Sequence, residues 1–426
     1  MSNVNQEFDV VISGGGLSGS LLALSLSQLS KADGSLLSIA IIETSSYVDD
    51  ENNKADVFDG RVLALSHGSA HYLAKIGIWP LLNDQACPIK DIDISDRGHF
   101  GKARLNAEQQ GVNALGYVID MALIGKAQLK ALANYANITW FSPDTISDIK
   151  WRNDDDEQGV NQAVTHEQNT SQITIVLNSA QRLSTRLLLA CAGAQSPCRQ
   201  FANIDVKLSE YNQSALIANL ATAKPHLNKA FERFTEYGPI ALLPLNNHGR
   251  QTGQGRCSLV WTMPPEQAQK MLTLEDDAFK VELELAFGSW LGAITQVGKR
   301  DVFPLKLVQA KQQTYHRMAL VGNASHTIHP IAGQGFNLGL RDVEVVTSLI
   351  KKAIIQQEDI GSFSLLQQYQ QHRMKDQQQI ISLTDSLVTI FSNNIAACAL
   401  GRNIGLQALN CLSPLKNELV KKTMGY

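Results

Sequence analysis

At 426 residues the chain is longer than one small hydrophobic core requires, and two domains are the expectation. Its 44% hydrophobic and 18% charged residues describe an ordinary globular protein, and a formal charge of −3 gives no electrostatic reason for a nucleic-acid partner. The six cysteines (Cys87, Cys191, Cys198, Cys257, Cys398 and Cys411) form no CxxC pair, which argues against a zinc site or disulfide framework and fits a reducing, cytoplasmic setting. No basic segment followed by an apolar run and a cleavage site opens the chain, so no signal peptide is expected. Nor is there a run of about 18 uninterrupted apolar residues, which excludes a spanning helix and leaves contact with a membrane surface open.

Residues 8–13 (FDVVIS) read as a short buried strand leading into Gly14, Gly15, Gly16, Leu17, Ser18 and Gly19, a GxGxxG turn. A Leu- and Ala-rich helix is expected over 17–29, then a second buried strand over 38–42 ending at Glu43. A carboxylate roughly 20 residues beyond such a turn is placed to accept hydrogen bonds from an adenosine ribose. Gly14 permits the tight turn, Gly16 lets the backbone approach a pyrophosphate, and Gly19 lets the helix pack on the strand. Glycines alone are a weak signal; strand, glycines, helix, strand and terminal acid in this order point to nucleotide binding.

After Asp59 and Gly60 comes Arg61, positioned to pair with phosphate or close over a ring, with a solvated loop arginine as the plain alternative. A helical pattern follows through Leu63, Leu65, Tyr72, Leu73 and Ile76. Alternation over 89–95 predicts a half-exposed strand of a different sheet, and 117–135 reads as strand then helix of the first domain. Strands at 145–151 and 172–177 flank a polar stretch, 152–171, which reads as a mobile hairpin extension. Another buried strand, 187–190, ends in the turn Cys191 to Ser196, followed by Arg199; Cys191 and Cys198 read as small packing residues.

From 211 to 304 the texture changes to strands at 214–220, 230–235, 240–243 and 257–262, a helix at 274–287 and a return strand at 300–305. This predicts an antiparallel sheet with one or two helices, suited to covering a flat ligand. The stretch 319–342 (ALVGNASHTIHPIAGQGFNLGLRD) then follows as a buried strand, a glycine-rich loop and a helix opening near Gly335 and running to 355. A helix N-terminus carries about half a positive unit charge and suits a ligand on which negative charge develops. His326 and His329, three apart, lack a third ligand nearby, so no metal is expected. Residues 363–391 have helical spacing, and Lys416, Lys421 and Lys422 offer a peripheral membrane-facing surface near the end.

Together the GxGxxG turn, the AGAQS..R turn and the VGNASHTIHPIAGQGFNLGLRD stretch resemble the FAD-dependent aromatic hydroxylases of the p-hydroxybenzoate hydroxylase type. Within them FDGR (58–61), ISDRGH (94–99), AFERFTEYGPIALLP (230–244), RCSLVW (256–261), ITQVGKRDVFPL (294–305), TDSLV (384–388) and GRNIGL (401–406) are similar to the ubiquinone-biosynthesis branch, nearest its 2-polyprenyl-6-methoxyphenol hydroxylases. The resemblance implies an α/β fold: a Rossmann-like FAD-binding domain (1–85, 112–200 and 306–355), an interleaved antiparallel-sheet substrate domain (86–111 and 201–305) and a C-terminal helical region (356–426).

It also implies FAD as resident cofactor and NAD(P)H as reductant. The ADP half falls to Gly14, Gly16, Gly19 and Glu43, Arg61 lies near the flavin and pyrophosphate, and Asn323 near the ribityl chain. Gly333, Gln334, Gly335, Phe336 and Asn337 lie beside the isoalloxazine, with the Pro330 carbonyl as acceptor for a phenol hydroxyl and no side-chain base assigned. In the family, reduced flavin takes up O2 to form a C4a-hydroperoxide, whose distal oxygen goes to an electron-rich phenol. For this branch the implied substrate is a polyprenylated methoxyphenol converted to a benzoquinol, with other ubiquinone-synthesis proteins as partners. A sister hydroxylase acting at another ring carbon, or a flavin-inert scaffold, are the alternatives. Two positions depart from the wider pattern: Asn323 and Ala192 each stand where an Asp is usual. The first can still accept a ribitol hydrogen bond; the second cannot, and slower flavin reduction or weaker FAD retention is the expectation.

Overall fold

The computed structural model describes residues 5–46, 60–151, 172–247, 253–328 and 334–391, with 403, 424 and 425. β1 (Asn5–Ser13) and β2 (Ile39–Ile42) run parallel and are joined through α1 (Leu17–Ser27). Val10, Val11 and Ile12 are fully buried because α1, itself buried from Gly19 to Ser27, covers the sheet.

Residues 62–66 are not helical as the sequence pattern implied. They form β3 (Val62–Ser66), and only then does α2 (His67–Lys75) begin, its first turn capped by the Ser66 hydroxyl accepting from the Ser69 N–H. Leu65 falls on the helical stripe of Tyr72, Leu73 and Ile76, whereas Leu63 and Leu65, two apart, share a face only in a strand, and pairing with a distant strand decides between the two. β4 (Cys87–Ile89) and β5 (Asp91–Asp96) split the strand expected over 89–95: Lys90 lies between them, and the chain changes sheets there. β6 (Lys102–Asn106) pairs with β5, whereas β7 (Gly116–Asp120) joins β3 and β4 in a three-stranded sheet.

α3 (Met121–Leu132), β8 (Ile138–Phe141), β9 (Ile146–Lys150), β10 (Ile173–Leu177) and β11 (Arg182–Ala190) return the chain to the first sheet. The polar insert 152–171 lies outside the described residues. α4 (Pro197–Phe201) then leads to β12 (Val206–Thr222), β13 (Lys229–Thr235), β14 (Gly238–Leu245) and β15 (Gly255–Met263). α5 (Pro265–Thr273), α6 (Asp276–Phe287), β16 (Ile294–Val297) and β17 (Asp301–Ala310) complete that region. Last come β18 (Thr314–Tyr315), β19 (Met318–Leu320), β20 (His326–Thr327), α7 (Gln334–Gln356) and α8 (Phe363–Phe391).

The first sheet runs β18-β19-β11-β1-β2-β8, and from β19 through β8 every neighbouring pair is parallel, which makes this half the doubly covered nucleotide-type layer. The second sheet runs β20-β17-β12-β15-β14-β13-β5-β6 with β16 beside β12, antiparallel except where β13 meets β5. β17 stays in this sheet to Ala310, so the return to the first layer comes later in the chain than 305. Among the described residues no helix is long and apolar enough to cross a membrane.

Candidate cofactor and active site

Three turns separated widely in sequence meet at the C-terminal ends of β1, β11 and β19. At the first, Gly14 has φ +100°, and a Cβ there would lie 2.8 Å from the Ala192 backbone. Gly19 is tighter still: an added Cβ would sit 1.9 Å from the Gly14 carbonyl oxygen. Gly16 is the opposite case, exposed, with nothing within 4 Å of an added Cβ. It also precedes α1 without a side-chain cap, so the first N–H groups of that helix face open space. Glu43, at the end of β2, accepts from the Gly15 N–H at 2.7 Å with one carboxylate oxygen, and the other accepts from the Thr44 hydroxyl and the Ser45 N–H. The acid is thereby fixed beside the glycine turn.

The middle turn is locked by Arg199, which is buried and donates to Ala194 O at 2.6 Å and Ala324 O at 3.0 Å. That second bond joins it to the late turn, a single 3-10 turn over Gly322–Ala324. Gly322 has φ +62°, and an added Cβ would meet the Ser18 hydroxyl at 2.9 Å; Gly339 of α7 lies against the same glycine. Between buried Gly322 and Ala324, Asn323 is exposed. Cys191 and Cys198 are inert here, because burial raises both thiols, Cys198 to about 11.

α7 begins at Gln334, so by helix geometry the N–H groups of Gln334, Gly335, Phe336 and Asn337 have no partner within the helix. The Asn337 side chain is already engaged: its carbonyl accepts from Ser66 N and the Ser69 hydroxyl, and its amide donates to Ala64 O at 2.8 Å. It ties α7 to β3 and α2, which leaves its backbone for a ligand. Arg61 is exposed, and its guanidinium has no ion-pair partner among the described residues. Pro330, Gly333 and His329 lie outside the described residues.

Sequence reasoning missed the brace behind the late turn. Asp342, fully buried on α7, accepts from Gly322 N at 2.8 Å and from Arg373 Nε at 2.6 Å. Arg373 on α8 also donates to Asp376 and to Leu338 O. Burial alone would lower the Arg373 pKa, but the carboxylates of Asp342 and Asp376 outweigh it and hold the guanidinium charged. Nearby, His326 is buried with both ring nitrogens lacking a hydrogen-bond partner, and burial lowers its pKa, so the ring is neutral. Tyr369 donates to Leu320 O at 2.8 Å, and its hydroxyl is held protonated by burial and the nearby Asp342 charge. The only signal in the sequence was the Arg373 and Asp376 spacing on one helix face; their partner on another helix left no local trace.

An exposed Gly16, an uncapped helix start and a carboxylate held at the end of the neighbouring strand fit the pyrophosphate and ribose of a dinucleotide. The family model described as FAD binding domain matches residues 7–384. The chain belongs to this family of FAD-dependent monooxygenases. It is 32% identical over 98% of its length to the ubiquinone hydroxylase UbiL of Rhodospirillum rubrum, covering 89% of that protein. To the 3-demethoxyubiquinol 3-hydroxylase of Escherichia coli it is 28% identical, over 99% of each chain. The crystal structure of p-nitrophenol 4-monooxygenase PnpA from Pseudomonas putida superposes with a TM-score of 0.73 over 99% of each chain at 16% identity, which establishes the shared fold. In this monooxygenase the bound FAD supplies the redox chemistry that activates O2, and the protein contributes binding, orientation and exclusion of water.

Proposed function

We propose that this monooxygenase hydroxylates the ring of a polyprenylated phenol in ubiquinone synthesis, with 2-polyprenyl-6-methoxyphenol as substrate and 2-polyprenyl-6-methoxy-1,4-benzoquinol as product. The observation that carries the reading is the convergence of the Gly14–Gly19 turn, the Ala192 turn and the Gly322–Ala324 turn, with the wide second sheet close by. In this reading Gly14, Gly16, Gly19 and Glu43 hold the ADP half of FAD. Arg61 and Asn323 serve the pyrophosphate and ribityl region. Gly333, Gln334, Gly335, Phe336 and Asn337 border the isoalloxazine, and the Pro330 carbonyl accepts the phenol hydroxyl. NAD(P)H is the reductant, and the protein works in the cytoplasm against a membrane surface that holds its long-tailed substrate, beside other proteins of the pathway.

The full-length likeness to a 3-demethoxyubiquinol 3-hydroxylase favours one competing reading, a sister hydroxylase acting at a different ring carbon. Deleting the gene and identifying the ring precursor that accumulates separates them. Accumulation of the 2-polyprenyl-6-methoxyphenol supports the first reading; a demethoxyubiquinone or an earlier phenol overturns it.

A further inference from the structure

Consecutive side chains of β13 point to opposite faces of the second sheet. Phe231 and Arg233 face the helices: Phe231 meets Phe287 edge-on with ring centroids 5.7 Å apart, and the Arg233 guanidinium lies 5.0 Å from the centre of the Trp290 ring. Ala230 and Glu232 therefore face the other way, and Ala230 packs with Val62, Ile89 and Val118 of the small sheet. On that same face Asn219 Nδ2 donates to Gly60 O at 2.8 Å, next to Arg61. Glu232 thus stands on the face that looks toward the FAD-binding half.

The strand register surrounds it with a row of apolar residues. Ile217 pairs with Val260, Val260 with Ala241, Ala241 with Glu232, and Glu232 lies beside Ile94. All five are only half-buried, although they lie across the central strands of a nine-stranded sheet. Side chains there are normally the driest of a sheet, so a half-buried apolar row lines a space that the described residues do not fill. Met424 closes the end of the row near Ile94. Among the described residues the Glu232 carboxyl has no hydrogen bond and no ion pair. Other ionisable groups on this face stand off: Asp96 is held by Asn403 at 3.0 Å, Asp301 lies beyond Ile217 at the far side, buried Arg256 lies four residues along the strand from Val260, opposite Leu245, and Arg61 follows Gly60 on the facing segment. Lys102 and Arg104 of β6 point to the opposite face, where Arg104 pairs with Asp93 at 2.6 Å.

We propose that Glu232 is the catalytic base that accepts the hydroxyl proton of a phenol lying along this row. The proposal rests on the phenol-hydroxylation reading above and puts Glu232, in place of the Pro330 carbonyl, as the acceptor of the hydroxyl proton. The phenol O–H bond breaks, its electron pair stays on the ring oxygen, and the proton joins the Glu232 carboxylate. Electron density then rises at the ortho and para carbons, one of which receives one oxygen atom of O2; the other oxygen leaves as water, with NAD(P)H supplying a hydride, and so the two electrons, and solvent the remaining protons. As the ring regains aromaticity, the displaced ring hydrogen leaves as a proton to solvent, and Glu232 returns its proton to the ring oxygen. Burial without a counter-charge pushes the Glu232 pKa up to about 7, where a general base works best at neutral pH.

The test uses full-length holoenzyme with 2-prenyl-6-methoxyphenol and its O-methyl ether as probes. Glu232→Gln is expected to keep its FAD absorbance and its NAD(P)H oxidation, while product formed per NAD(P)H falls at least about tenfold, the loss of a general base. The wild-type kcat/KM limb rising through about pH 7 disappears in Glu232→Gln, and Glu232→Asp recovers part of the product yield with the limb displaced. Unchanged coupling and an unchanged limb in Glu232→Gln overturn the proposal. Should the wild-type enzyme leave the methoxyphenol unhydroxylated, the functional reading fails, and binding decides the role of Glu232. A preference for phenol over ether that Glu232→Ala abolishes sustains it, and an equal preference in both proteins overturns it. Should Glu232→Gln lose FAD, Glu232→Asp decides alone, and a limb unmoved from the wild-type position overturns the proposal.

Discussion

Replacing Arg373 with Met tests whether the charged brace behind the late turn holds the cofactor loop. The substitution keeps the aliphatic stem, removes three donated bonds to Asp342, Asp376 and Leu338 O, and leaves the fully buried Asp342 carboxylate facing Gly322 N–H and Gln377 without a cation. Breaking a buried pair by removing one partner costs about 3–5 kcal/mol, because the surviving charge is stranded in a dry site. Asp376 is partly exposed and close to Arg341 at 3.0 Å, so it loses less. Removing both charges should restore much of the loss: Asp342→Asn with Arg373→Met is expected to be at least about 1.5 kcal/mol more stable than Arg373→Met alone. Urea unfolding followed by flavin release and by far-ultraviolet dichroism measures both effects, with flavin release moving to lower urea first in Arg373→Met. An Arg373→Met protein within about 1 kcal/mol of wild type, or a double variant whose losses simply add, would refute the idea that Asp342 and Arg373 act as a pair.

Three further outcomes follow from single positions. Gly19→Ala forces a methyl group against the Gly14 carbonyl oxygen, 1.9 Å from an ideal Cβ, and should cost at least about 1–3 kcal/mol and lower the FAD content of the purified protein; full FAD loading would contradict the packing described. Ala192→Asp restores a carboxylate beside the Gly14 turn, and a charged hydrogen bond of about 1.5–3 kcal/mol predicts FAD retention or NAD(P)H-driven flavin reduction improved by roughly tenfold or more; no change in either removes Ala192 from the account. Glu232→Gln should raise stability at pH 8 and leave it unchanged at pH 4. The native carboxyl titrates at about 7 against 4.5 for the model value, so stability from its protonated form is complete below about 4.5 and lost as pH rises through 7. At 1.36 kcal/mol per pH unit the difference is at most about 3.4 kcal/mol, and nearer 1–2 for a half-buried group; thermal unfolding at the two pH values reads it, and equal melting temperatures at pH 8 would contradict the raised pKa.

The parallel half of the fold was legible because its signals are local. A continuous β-branched run, glycines at fixed offsets and an acid at the next strand end are consequences of one βαβ unit, so the sequence carries them within a few dozen residues. Residues 363–391 were legible as a helix for the same reason, since spacing alone marks it. Residues 62–66 were not, because Leu65 runs on into the helical stripe of Tyr72, Leu73 and Ile76 and the strand exists only through its pairing with β7. Asn337 shows the limit most plainly. Its place in a glycine-rich loop resembling a cofactor segment suggested a ligand contact, yet its side chain bridges to Ser66 and Ser69, 271 and 268 residues away.

That bridge bears on how the two ends of the cofactor site are held in register. Asn337 ties the first turn of α7 to β3, the strand that follows Arg61, while Asp342 one turn or so further along ties the same helix to Gly322. Gly322 in turn packs on Ser18 at the start of α1. One rigid helix therefore fixes the Arg61 segment, the Asn323 turn and the glycine turn relative to one another, through backbone groups that no side-chain motif would reveal. Asn323 sits exposed between two residues pinned by these contacts, so its side chain is displayed on a fixed backbone; Asp would be displayed equally well there, and the difference between them is charge rather than geometry. Ala192 differs from Asn323 in this respect. It keeps the backbone approach to Gly14 that packing requires and gives up the only polar atom the position could offer, so its effect should appear in cofactor electrostatics and leave the fold intact.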